Sequence, residues 1–148
     1  MERNTIEKIF KFLEETEGKE LPKKWFDSIE KLKLIKELEN HPDGTQYWHK
    51  TDLYLDNLGI TKLPNDLYVS GHLNLSNCKQ LTKLPDELHV GGNLNLYGCE
   101  QLTELPDYLY VGFNLSIKNT PLADKYTDEE IYEMVASTGG IITDRIIR

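Results

Sequence analysis

A phrase of 21 residues is written three times between Leu53 and Leu122 and begun a fourth time. From Leu73 it reads L-x-L-x-x-C-x-x-L-T-K-L-P-D-E-L-x-V-x-G, and it restarts at Leu94. The Leu-Pro pair recurs at Leu63-Pro64, Leu84-Pro85 and Leu105-Pro106, 21 residues apart each time. The L-x-L step recurs at Leu53/Leu55, Leu73/Leu75, Leu94/Leu96 and Leu115/Ile117, with steps of 20, 21 and 21. A fixed period of this size points to a solenoid, in which each coil buries its apolar side only against its neighbours.

The repeat can be read residue by residue. Alternation in L-x-L has period two, so both leucines face inward and the residue between them faces solvent. The same holds for L-x-V at Leu67/Val69, Leu88/Val90 and Leu109/Val111. Each coil thus supplies two short strands on opposite walls of a flattened tube. Proline is excluded from a central strand, so Leu-Pro is the corner between them. Leu81 and Leu84, with Ile60/Leu63 and Leu102/Leu105, fill that corner. Gly71 and Gly92 serve the second turn, where Phe113 stands in the last coil. Cys78 and Cys99 share one inward position and read as two buried, reduced thiols.

The flanks do not follow the repeat. Ile6, Ile9, Phe10 and Leu13 have helical spacing, which predicts a helix over about 4–17. A second helix over about 22–39 follows, with Pro22 in its first turn and Trp25, Phe26, Ile29, Leu32, Ile35 and Leu38 as its stripe. His41-Pro42-Asp43-Gly44 stops it. Residues 1–44 are therefore expected to form a helical hairpin that plugs the open edge and apolar mouth of the first coil at the start of 45–122. Beyond it, residues 123–148 are expected to make a second cap. There Thr127 starts a helix with Glu129 and Glu130 in its first turn. Gly139-Gly140 ends that helix, and Ile141-Ile142 and Ile146-Ile147 supply the last strand or pair of strands. The arrangement reads as one complete α+β repeat domain.

Because a solenoid stacks equivalent positions about 4.8 Å apart, each column of the repeat becomes a stripe on the surface. One outward column holds Trp48, Tyr68, His89 and Tyr110, and a partly acidic rail of Gln46, Asp66, Glu87 and Tyr108 lies two positions earlier. Aromatic rings are enriched at interface hot spots, and neighbouring carboxylates suit Arg or Lys from a partner. The opposite wall offers Tyr54, Asn74, Asn95 and Ser116, flanked by Asp56, Ser76, Tyr97 and Lys118. This second surface is smaller and more polar, and Asn74 and Asn95 in register suggest a stacked amide ladder.

Charge narrows the partner. Of the net −8, residues 1–50 contribute −1 (10 basic, 11 acidic), 51–120 contribute −4 (4 and 8) and 121–148 contribute −3 (3 and 6). An acidic array repels phosphates, so direct nucleic-acid binding is not expected. The N-terminus lacks a signal peptide's apolar run and no stretch approaches the roughly 20 apolar residues of a membrane span, so a cytoplasmic protein with no membrane contact is expected. His41, His49, His72 and His89 show no ligand spacing, and there is no G-x-S-x-G, P-loop or H-E-x-x-H. The sequence therefore implies no metal, no cofactor and no enzyme activity.

The phrase resembles the leucine-rich repeat, L-x-x-L-x-L-x-x-N/C-x-L-x-x-L-P, over about 53–122. Its short, proline-marked form looks like repeats of bacterial effectors and of small bacterial and bacteriophage proteins. There are departures. The ladder asparagine of the family is Leu58, Cys78, Cys99 and Thr120 here. The leucine three before L-x-L is Ser70, Gly91 or Gly112, with Val69, Val90 and Val111 one place earlier. These changes suggest a second sheet where many members carry helix. What the resemblance implies is partner binding, usually of a protein, by side chains displayed on a sheet. The expected function is a non-enzymatic interaction module, such as an effector or inhibitor, for a protein with a basic or Arg-bearing surface. The alternative is an acidic nucleic-acid mimic that occupies a DNA-binding protein.

Overall fold

The computed structural model describes Lys8, Lys11, Glu15 and residues 23–148, the side chains of 23–28 excepted. It separates into two compact units, Met1–Glu37 and Leu38–Arg148. In the first, Lys8, Lys11 and Glu15 are helical, and Lys11 pairs with Glu15 one turn on at 3.7 Å. The apolar positions of the helix expected over 4–17 (Ile6, Ile9, Phe10 and Leu13) lie outside the described residues. The second expected helix is α1 (Lys23–Glu39), in which Ile35 and Leu38 are buried and Ile29 and Leu32 half-buried. Its last two residues belong to the second unit, where the Glu39 carboxylate accepts from the Thr61 backbone N–H and hydroxyl, both at 2.9 Å.

The second unit is a parallel-strand β-solenoid with two short strands per coil. The strands are β1 (Tyr47–His49), β2 (Leu53–Tyr54), β3 (Leu67–Val69), β4 (Leu73–Asn74), β5 (His89–Val90), β6 (Leu94–Asn95), β7 (Tyr110–Val111), β8 (Leu115–Ser116), β9 (Ile141–Ile142) and β10 (Ile146–Ile147). One sheet is ordered β1-β3-β5-β7-β9 and the other β10-β8-β6-β4-β2. Registers follow the repeat: Trp48 opposite Tyr68, Tyr68 opposite His89, Leu73 opposite Leu94 and Leu94 opposite Leu115. Between the sheets lies the core, where all the inward residues of L-x-L and L-x-V are buried. At the corner Ile60, Leu63, Leu81, Leu84 and Leu102 are buried, and Leu105 in the last coil is half-buried. Cys78 and Cys99 are buried free thiols, and each donates to a carbonyl of the preceding coil, Leu55 and Leu75, at 3.1 Å. Burial pushes the Cys78 thiol up to about 12 and raises that of Cys99.

Each turn after an L-x-L step places one residue in the left-handed region: Asn57, Asn77, Gly98 and Asn119. Asparagine and glycine tolerate that backbone better than other residues, so this column was legible in the residue types. Gly71 and Gly92 are needed for a different reason than the turn geometry expected of them. Neither has a positive φ; a Cβ on Gly71 would lie 2.1 Å from Asp52 Oδ1, and one on Gly92 would lie 2.4 Å from His72 Nδ1. Their role is to let successive coils touch.

Thr120 enters the ladder position as a buried hydroxyl and caps α2 (Pro121–Lys125), a short helix at a point where Thr-Pro-Leu reads equally as a repeat corner. The signal was present, since a threonine N-cap followed by proline at N1 starts a helix as readily as it turns a corner. The expected helix at Thr127 is α3 (Asp128–Ser137). It opens on a reciprocal capping box in which Thr127 Oγ1 accepts from the Glu130 N–H at 3.2 Å and Glu130 accepts from the Thr127 N–H at 2.8 Å. Gly139, at φ +85°, releases the chain into β9, and the Arg148 guanidinium after β10 reaches Asp128 and the carbonyls of Ala123 and Tyr126. Among the described residues no helix is long and apolar enough to cross a membrane.

Candidate functional site

The wall built by β1, β3, β5, β7 and β9 displays the ring column. Because these strands are in register, Tyr68, His89 and Tyr110 occupy the same outward position on successive coils. Their rings stack in parallel, Tyr68 on His89 at 4.2 Å and 7°, and His89 on Tyr110 at 4.2 Å and 5°. These separations are shorter than the ~4.8 Å between strands, so the rings lean onto one another. Trp48 meets Tyr68 edge-on at 6.0 Å and 85°, and its indole N–H donates to Ser70 Oγ at 2.8 Å. The column continues where the sequence reading stopped: Ile141 of β9 stands opposite Tyr110 and is 53% exposed. Only the pairing of β9 reveals that, since 31 residues and two helices separate it from Tyr110.

Stacking decides what this surface can bind. The π-faces within the stack are taken up by neighbouring rings, and the exposed ring edges carry the positive end of the quadrupole. A partner cation therefore gains little from the stack itself. The indole of Trp48, at the head of the column, is 61% exposed. Asp66 and Glu87, with Tyr108, sit in the turn before each strand at φ 54°, 58° and 56°. The alternation that predicted a rail assumes extended backbone, and a left-handed residue breaks it. They form a column of turn residues, with Asp66 half-buried and Glu87 and Tyr108 exposed. Gln46, the fourth position, is exposed before β1.

His89 is the titratable member of the stack. Burial between the two tyrosine rings holds its imidazole below the usual value of 6.5. A histidine whose folded pKa is depressed takes up its proton more readily in the unfolded chain. Stability is then intact above pH 6.5 and falls as the pH drops through 6.5 towards the folded value, below which no further loss accrues. Thermal melts from pH 8 to 5 are expected to show this slope, and His89→Phe, which keeps the stack without a proton site, should flatten it. An unchanged slope in that variant assigns the effect to another group.

On the opposite wall, Tyr54 and Ile147 end a column whose interior is Asn74, Asn95 and Ser116. Asn74 and Asn95 do not form the expected ladder. Each side-chain carbonyl accepts the backbone N–H two residues on, of Ser76 and Tyr97, at 3.0 Å, so the amides brace their own turns. The Asn74 amide N–H also reaches Asp56 of the preceding coil at 3.4 Å, and amide-to-amide bonds between coils run from Asn77 to Asn57 and from Asn114 to Asn93, both at 3.2 Å. A more regular chain runs just ahead of L-x-L. Asp52 accepts the His72 N–H at 2.7 Å, His72 Nδ1 that of Asn93 at 2.8 Å, and Asn93 that of Asn114 at 3.0 Å. The bond from His72 holds the Asp52 carboxyl below its usual range. Its signal in the sequence was a column of side-chain acceptors, Asp52, His72, Asn93 and Asn114, one residue before each leucine. The first three of these side chains stitch coils together as acceptors, and Asn114 does so through its amide N–H, its own Oδ1 being buried without a partner among the described residues.

No protein-family model, curated protein or solved structure matches this chain.

Proposed function

We propose that the chain is a capped solenoid of the leucine-rich-repeat type that binds a protein through the ring column, with residues 1–44 and 123–148 as its caps. The observation that carries the reading is the continuous ring column on one wall, Tyr68, His89 and Tyr110 stacked face to face with Trp48 edge-on at its head. A rigid aromatic strip that has already lost its side-chain freedom binds without a further ordering cost. Asp66 and Glu87, in the adjacent turns, meet basic groups of the partner, and the module does no chemistry. The L-x-L wall, with Tyr54, Asn74, Asn95 and Tyr97, is secondary, since its amides are already engaged in the turns.

The test begins with a partner captured from a bacterial lysate and then purified. Tyr68→Ala with Tyr110→Ala is expected to weaken binding by at least ~2 kcal/mol, about 30-fold, while the folded circular-dichroism signal is kept. Asp66→Lys with Glu87→Lys should slow association at low salt. If Asn74→Ala with Asn95→Ala abolishes binding while the tyrosine pair does nothing, the interface is the L-x-L wall. If charge reversal strengthens binding, the partner is acidic and the basic-partner reading is wrong.

A further inference from the structure

The Leu-Pro corners do more than turn the chain. Stacked over three coils, Leu63-Pro64, Leu84-Pro85 and Leu105-Pro106 form the floor of a groove of about 550 Å³ that continues to Asp43. One lip is Lys62, Lys83 and Glu104, the residues just before each Leu-Pro. The other is Asn65, Asp86 and Asp107, the residues just after it, prolonged by Asp43, whose carboxylate accepts from the Asn65 amide at 3.1 Å. Two of the three coils thus set an ammonium group, Lys62 or Lys83, before the proline floor, and two set a carboxylate, Asp86 or Asp107, after it, while the third coil carries Glu104 on the lysine side.

Among the described residues the two lysines are not held in ion pairs. Among the described residues neither Lys62 nor Lys83 lies within 4.0 Å of a carboxylate, although both share the groove with Asp86 and Asp107. Asp86 spends one oxygen on the Asp107 N–H at 3.1 Å, which fixes that carboxylate at the lip. Each lip also stacks like charges on successive coils, Lys62 with Lys83 and Asp86 with Asp107, and a ligand that brings countercharges to both pairs gains from each. Opposite lips held apart by a covered floor are complementary to a ligand of alternating charge.

We propose that this groove takes an extended peptide segment of a partner protein that carries basic and acidic side chains in alternation. In an extended chain successive side chains point to opposite sides. Basic residues therefore face Asp43, Asp86 and Asp107 while the acidic ones between them face Lys62 and Lys83. Three coils at ~4.8 Å plus the Asp43 turn span roughly 15 Å, the reach of about five extended residues at ~3.3 Å each. The site is separate from the ring column and does not depend on it.

The experiment titrates the full chain with three blocked pentapeptides, Lys-Glu-Lys-Glu-Lys, all-Lys and all-Glu, and follows backbone amide shifts by NMR. The alternating peptide is expected to move the amides of 61–63 and 65, 82–84 and 86, and 103–105 and 107, the residues around each proline, and to leave those of β3, β5 and β7 in place. Lys62→Glu with Lys83→Glu should weaken it about tenfold, as should Asp86→Lys with Asp107→Lys. The four-residue swap carrying both pairs of changes should restore binding, because an extended peptide shifted by one residue presents the reversed pattern. The proposal is overturned if the all-Lys peptide binds as well as the alternating one and the lysine reversals strengthen it, which is attraction to net negative charge alone. It is equally overturned if no peptide moves the corner amides.

Discussion

Replacing Leu94 with alanine is expected to cost ~2–5 kcal/mol of unfolding free energy, read from urea titration. Leu94 is fully buried, with Leu73 and Leu115 as its register partners on either side. The backbone on both sides is pinned by Leu73 N–H to Asn93 O at 2.9 Å and Leu94 N–H to Asn114 O at 3.0 Å. The coils are therefore held at strand spacing and cannot collapse into the vacated volume, which puts the cost in the upper part of that range. With a total stability of ~0.05–0.15 kcal/mol per residue, such a loss is a large share of what the solenoid has. The control is the next residue, Asn95→Ala, which faces outward and loses only the bond to the Tyr97 N–H, about 0.5–1.5 kcal/mol. If the two variants destabilise equally, the register is one residue out, because a slip of one exchanges the inner and outer faces.

That contrast also shows why so much of the fold was legible. Period-two alternation at Leu73/Leu75 or Leu88/Val90 and the 21-residue step together determine which side chains face in and which coil each one meets. Two strands per coil and the pairing of Trp48 with Tyr68 follow from that alone. The reading failed where the step is not kept. Between Tyr110 and Ile141 two helices replace the corner, so nothing in the spacing assigns Ile141 to the ring column. Helix α2 was hidden because Thr120-Pro121-Leu122 satisfies both a corner and a helix start.

The candidate site was legible in membership but not in geometry. Tyr68, His89 and Tyr110 were placed in one column, yet spacing alone does not say whether rings stack on one another or stand apart with their faces open. They stack face to face, so the ring faces inside the stack are covered by their neighbours. For Asp66, Glu87 and Tyr108, alternation was carried into residues whose φ is positive, and only Asp66 is of a type that hints at it. Amide pairs were read from register at Asn74 and Asn95, where a local bond to the backbone two residues on competes better than one across coils. The corner groove was missed because each Leu-Pro was read within its own coil, and a groove exists only once three of them are stacked.

The second large effect comes from the backbone itself. Gly112→Ala is expected to destabilise by more than the ~1–3 kcal/mol typical of an overpacked core. A Cβ on Gly112 would lie 2.1 Å from the carbonyl oxygen and 2.8 Å from the carbonyl carbon of Gly91. Neither atom belongs to a side chain that can swing away. Relief requires the last two coils to separate there, which strains the bond from the Gly112 N–H to Val90 O at 2.8 Å and the strand pair beside it. The preceding coil repeats the situation, since a Cβ on Gly91 would meet Ser70 O at 2.3 Å. Glycine is therefore required at 91 and 112 by the closeness of the preceding coil, where the leucine that the resemblance places three residues before L-x-L would not fit; only the first coil, with Ser70, takes a side chain at this position. Gly44→Ala separates this cause from backbone conformation: Gly44 has φ +78° but nothing within 4 Å of its Cβ position. That variant carries only the left-handed penalty of ~1–2 kcal/mol. Thermal melts should rank Gly112→Ala well below Gly44→Ala, with amide exchange accelerated first in β7 and β9. If Gly112→Ala melts at or above Gly44→Ala, the coils are looser at this corner than 2.1 Å allows, and the close-contact account of the glycine column is wrong.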